Sequence, residues 1–254
     1  MNVILHDLVG GNVARLDALL AVFAECFPQY AASAPRLAQK AQRPADAPPR
    51  FIAHQWLAEV DGQAAGMFSF KYAPGRDLGL AIYLAVRPAW RSLPTLAGTS
   101  QGSGLPLSTW LIQSGLRQLT ADAAAAGRPV PAGIFFEVEP DRLVARYREF
   151  GFVELPVKYF EPRYAQPRTG PSEPTDAGQV AFQRTHFGFF PTGGAPDNLA
   201  GPGVVTNAVL AFMVDHYGLP ETHWAVARAL ASIAGPVSPG IDRPNDEKEL
   251  QHDR

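Results

Sequence analysis

Glu137 and Glu139 stand two residues apart in the strand-like run "FFEVE". Strand alternation puts both carboxylates on one face, roughly 6–7 Å apart along the chain. A carboxylate whose pKa is raised by burial beside its twin suits a general base. The spacing fits a second arrangement equally, in which one Glu pairs with a nearby Arg and the other caps the next helix with Asp141. His54 and Glu59 in "HQWLAEV" are further candidates for taking a proton.

The stretch "QGSGLPLSTWL" (residues 101–111) carries a different chemistry. A Gly-rich turn running into a helix gathers free backbone N–H groups and the positive end of the helix dipole, which together hold phosphate. Pro106 has no N–H to give, although proline suits a helix's first turn. The donors left are the amides of Gly102, Ser103, Gly104 and Leu105 and the Ser103 hydroxyl.

Other reactive types lack a pattern. Cys26 lies in a helix with Phe23 and Phe27 and reads as a buried structural thiol. His186, His216 and His223 form no ligand set, and a Gly/Pro break divides the last two, so no metal is expected. Gly10-Gly11 lacks the rest of a dinucleotide fingerprint, and Gly193-Gly194 reads as a turn.

The elements that must position these residues follow from periodicity. "NVILHDLV" reads as a strand, and Asn12 as the cap of a helix with Leu16, Leu19, Leu20, Phe23 and Phe27 on one face. Pro28 stops that helix. Residues 33–50 are a connection or a short second helix. "HQWLAEV", "QAAGMFSFKY" and "LGLAIYLAV" are strands, the first two joined through the hairpin signal Asp61-Gly62. Residues 107–126 make a long helix ended by Gly127 and Pro129. "GIFFEVE" is a strand, "DRLVARYREF" a helix closed by Gly151, and "FVELPVKYF" a strand. "QVAFQRTHFGFF" is a last strand, and residues 204–217 and 221–234 are a helical appendage. The order implies an α/β (α+β) fold, a mixed sheet with helices on both faces.

A formal net charge of -2, with 46% hydrophobic and 18% charged residues, gives no electrostatic case for nucleic acid or an anionic membrane. No apolar run approaches the roughly 18 residues of a membrane span, and no basic-then-apolar leader opens the sequence. The single cysteine excludes an internal disulfide framework. A cytoplasmic protein is expected.

Three stretches, in this order, resemble the GNAT superfamily of acyl-CoA-dependent N-acetyltransferases. "LAIYLAVRPAWR" is similar to the family's fourth strand and its exit. "QGSGLP" approximates its pyrophosphate loop, with Gln101 in the place of an Arg. "ARYREFGFVEL" matches its Tyr-x-x-x-Gly-Phe. The resemblance covers about residues 1–165 and extends to the strand near 180–190. It implies an acyltransferase domain over 1–190, with a Pro/Gly-rich loop at 162–178, then a helical extension over 191–234 and a disordered tail over 235–254.

The resemblance further implies transfer of an acetyl or other short acyl group from acyl-CoA, the co-substrate, to a primary amine by direct attack. The fourth and fifth strands would splay apart around pantetheine, with backbone N–H groups near Leu84, Ala85 and Val86 facing it. Gln101, Gly102, Ser103, Gly104 and Leu105 would hold the pyrophosphate. Tyr147, four residues before Gly151, would protonate the departing thiolate; without the resemblance it reads as a packed aromatic. The acceptor is a small-molecule or peptide amine, and the apolar tail admits a homodimer. Three departures stand out: "SLPTLAGTSQ" separates Arg91 from the loop, Pro106 removes a donor, and "LGLAIYLAV" lacks the family's strand-four carboxylate. They leave a non-catalytic acyl-CoA-binding sensor or scaffold as the alternative.

Overall fold

The computed structural model describes residues 2–42, 50–91, 105–164, 180–193 and 201–233. Antiparallel strands β1 (Val3–Asp7), β2 (Ile52–Val60), β3 (Gln63–Ala73) and β4 (Leu78–Val86) form a meander. The β2–β3 turn has positive φ at Asp61 (49°) and Gly62 (80°), the geometry that matches a hairpin's right-handed twist. A parallel step leads to β5 (Gly133–Val138) through helix α3 (Leu107–Ala125). The sheet is completed by β6 (Val153–Glu154), at its edge, and β9 (His186–Pro191), in the order β1-β2-β3-β4-β5-β9-β6.

Helices cover both faces, as expected. On one face α3 and α4 (Asp141–Arg148) share a core with Phe68, Phe70, Tyr72, Ile134 and Phe136. Gly115 lets α3 approach closely, because a Cβ there would stand 2.6 Å from the Phe68 ring. On the other face lie α1 (Leu16–Cys26) and α2 (Ala34–Gln42), packed on Leu57 and Met67. Beside them sit α5 (Pro202–Leu210), the π-helical turn Ala211–His216 and α6 (Trp224–Ile233), packed on Leu78, Leu80, Phe135, Phe187 and Phe189. The C-terminal helices therefore dock on the central sheet and share its core.

Three local expectations change. Asn12 does not cap α1: its side chain donates to Asp7 O, and a 3-10 turn, Val13–Arg15, precedes the helix. "FVELPVKYF" yields only the two-residue β6; its last residue opens β7 (Phe160–Tyr164). "QVAFQRTHFGFF" is two strands: β8 (Val180–Arg184) pairs with β7 in a separate two-stranded sheet, and β9 joins the main one. The break falls at Thr185, whose amide donates to Tyr159 O at 3.1 Å. That bond pulls the chain from one sheet to the other.

Candidate active site

The site begins with a register slip. Ser69 opposes Tyr83 and Phe70 opposes Ala81, so Ile82 is an extra residue on β4. Ile82 and Tyr83 consequently turn toward the same face, Ile82 into the C-terminal core and Tyr83 onto Phe23 of α1. A bulge bends its strand, and β4 leaves β5 there. The parallel pairing is confined to Gly79–Ile134 and Leu80–Phe135, although β4 runs on to Val86 and β5 to Val138. A gap opens between them.

Ladder alternation decides which β4 amides face it. The Arg87 amide donates to Ala65 O at 2.9 Å, so Ala85, two residues earlier, also bonds toward β3. Leu84 and Val86 turn the other way, toward the gap. Of the expected amides near 84–86, that of Ala85 is thus committed to the sheet. Val86 O already accepts from Arg91 Nε at 2.8 Å and has Cys26 Sγ 3.7 Å away. Cys26 is half-buried, more open than expected, and burial raises its thiol pKa despite nearby Arg91.

Of the phosphate loop, Gln101, Gly102, Ser103 and Gly104 lie outside the described residues. Leu105 is described and half-buried. Pro106 stands at the N-cap of α3, which has no side-chain cap and no acid in its first turn.

Tyr147 and the glutamates lie on opposite faces of the sheet. Tyr147 packs edgewise on Phe136 and Phe190, with centroids 6.0 and 5.6 Å away, and its hydroxyl has no hydrogen bond among the described residues. Burial pushes its pKa up to about 12, so the phenol keeps its proton. Glu137 projects from the other side of β5, where Tyr159 and Tyr217 donate to its two oxygens at 2.5 and 2.6 Å. Burial raises its pKa, and these two phenols oppose the rise. Glu139 pairs with Arg163 at 2.6 Å and accepts from Tyr30. Burial raises its pKa as well. The Arg-paired arrangement thus holds for Glu139 and not for Glu137, and neither caps α4.

A third carboxylate, Glu161 of β7, joins them and lies 3.1 Å from Arg163. Burial, then repulsion from Glu137 and Glu139, raises its pKa. Its position was hidden in the sequence because β7 belongs to another sheet. Tyr217 was equally hidden, lying 80 residues beyond its partner.

The other proton-acceptor candidates are committed elsewhere. His54 is bonded to Asp7 at 2.6 Å and Asp122 at 2.9 Å, and stacks on Phe70. Burial would discharge it, but both carboxylates overcome that and raise its pKa to about 9. A charged imidazolium accepts no proton. Glu59 is bound by Arg15 and His6. Among the described residues no cluster of three His, Cys, Asp or Glu could hold a metal, and no helix is long and apolar enough to cross a membrane.

Comparison with known proteins yields structural likenesses only. No protein-family model and no curated protein matches the chain. Solved structures do match. One, from Bacteroides thetaiotaomicron and assigned to the GNAT acetyltransferases, is 15% identical, with 85% of this chain and 99% of that one covered at a TM-score of 0.43. The chain is similar in structure to GNAT acetyltransferases. A GNAT-family acetyltransferase from Staphylococcus aureus is 12% identical over 73% of this chain and 98% of that one (TM-score 0.42). The catalytic domain of the Tetrahymena GCN5 histone acetyltransferase, solved with coenzyme A, is 11% identical over 77% and 95% (TM-score 0.40). The chemistry of the present site rests on its own residues.

Proposed function

We propose that the protein transfers an acyl group from acyl-CoA to a primary amine. The observation that carries this reading is the gap between β4 and β5, with Tyr147 on one face and Glu137 on the other. The gap suits an extended chain such as pantetheine, which would find the outward backbone groups of Leu84 and Val86 along one wall. An N–H there can bond a thioester oxygen and stabilise the charge that grows on it during attack.

The division of faces gives each group one task. Glu137 takes a proton from the amine as its nitrogen bonds to the acyl carbon. The C–S bond breaks on the other side, and Tyr147 gives its proton to the thiolate. A phenol with a high pKa is a poor free acid, but a thiolate leaving into a buried site is a strong acceptor. Glu137 is favoured over Glu139 because, among the described residues, no guanidinium holds it. It also supplies the carboxylate absent from β4: the same face of the gap is served from β5.

The experiment is titration of the purified protein with acetyl-CoA and with CoA, followed by an amine panel read by CoA release. Micromolar binding with amine-dependent turnover is the expected result. Binding without turnover on any amine would make the protein an acyl-CoA-binding module, and no binding at millimolar ligand would overturn the reading.

A further inference from the structure

The carboxylate cleft has a second, cationic pole. Lys40 of α2 and Lys71 of β3 are near enough for their charges to repel. Among the described residues Lys40 Nζ reaches only Ser69 Oγ, at 3.5 Å. Lys71 Nζ donates to His216 Nδ1 at 3.0 Å and lies 4.8 Å from the centre of the Phe51 ring. Among the described residues neither ammonium is ion-paired, although the Asp7 charge acts on Lys40 from farther off. Burial lowers the pKa of Lys40 to about 8, and burial with repulsion from Lys40 lowers that of Lys71 to about 7. His216 is held neutral by burial and by Lys71, Lys40 and Arg36 around it. A partly buried cation that no carboxylate pairs is costly, and two of them here repel one another.

The two poles are close. His216 and Tyr217 are consecutive, with ring centroids 4.8 Å apart. The first touches Lys71 and the second Glu137. A short molecule suffices to reach from one pole to the other. We propose that the acceptor amine carries a carboxylate: an amino acid or a similarly small amino-carboxylate, its amine directed to Glu137 and Glu161 and its carboxylate to Lys40 and Lys71. The proposal rests on the acyl-transfer reading for its amine half alone. The cationic pole belongs to the acceptor cleft and not to the co-substrate, because α3 and its N-terminus lie on the opposite face of the sheet.

The test compares matched ligands on the full-length protein. Amino acids, their methyl esters, the corresponding decarboxylated amines and inorganic phosphate are measured for binding by titration calorimetry. The same amines are then compared as acceptors with acetyl-CoA. Free amino acids are expected to bind about thirtyfold or more better than their esters or decarboxylated forms, the scale of a buried charge pair losing one partner. Lys71→Met and Lys40→Gln should each erase that preference while leaving acetyl-CoA affinity unchanged. Lys71→Met should also raise the melting temperature, because it removes a partly buried charge repelled by Lys40 and keeps the side chain's volume. Esters or simple amines binding as well as amino acids would overturn the proposal, as would a preference that survives both substitutions. Phosphate binding that competes with no amine would overturn it in favour of a separate anion site. Carboxylate-dependent binding with no turnover would leave this proposal standing and sink the acyl-transfer reading instead.

Discussion

The Tyr217 phenol donates to Glu137 Oε2 at 2.6 Å, so the turn after α5 holds a carboxylate that belongs to the central sheet. With Tyr159 on the other oxygen, the carboxylate is stabilised in its ionised form against a burial that favours the protonated one. Tyr217→Phe removes one of those donors. The Glu137 pKa should rise, and the acidic limb of the kcat/KM profile against pH should move to higher pH. An unmoved limb would remove Glu137 from the proton-accepting role. Glu137→Gln should lower kcat by about 100-fold or more, within the usual range for a general base.

Tyr147→Phe separates packing from proton donation. The ring keeps its edge contacts with Phe136 and Phe190, and the lost hydroxyl makes no hydrogen bond among the described residues. Thermal stability should therefore be unchanged while turnover falls about 100-fold. Equal turnover in the variant would leave Tyr147 as a packing residue only.

Deleting Ile82 tests the origin of the gap. Without the extra residue, the β3–β4 register runs straight and β4 can continue its pairing with β5 past Leu80. Circular dichroism should show a folded protein, and acetyl-CoA binding should be lost. Retained binding in a folded deletion variant would mean that the gap does not depend on the bulge.

His54 makes stability depend on pH. Its pKa is raised to about 9 in the folded protein against about 6.5 for a free imidazole. The stabilisation is complete below about pH 6.5, and it is lost as pH rises through 9, amounting to about 3 kcal/mol. The depressed lysines act in the opposite sense over the same pH range, so the test is the difference in urea midpoint between the parent protein and His54→Gln, which should shrink from pH 6 to 10.

Much of this arrangement follows from local pattern. Alternation in "FFEVE" places Glu137 and Glu139 on one face, Asp61-Gly62 specifies its hairpin, and Leu107–Ala125 declares itself as a helix. The missing parts are tertiary. Nothing near Tyr217 signals that its turn docks against β5, and Glu161 lies in a segment whose strand pairs with β8 rather than with the main sheet. Ile82 is invisible because a bulge is a mismatch between two strands and not a property of either. Nothing in the sequence singles out Lys40 and Lys71, whose relation exists only once α2 and the C-terminal helices pack on the sheet.

Residues 201–233 complete both poles of the cleft, through Tyr217 at one and His216 at the other. During synthesis the seven-stranded sheet can assemble before that segment has cleared the ribosome, since β9 ends at Pro191. The cleft cannot. A nascent chain that has emerged only as far as β9 would thus hold the scaffold without the tuned carboxylate.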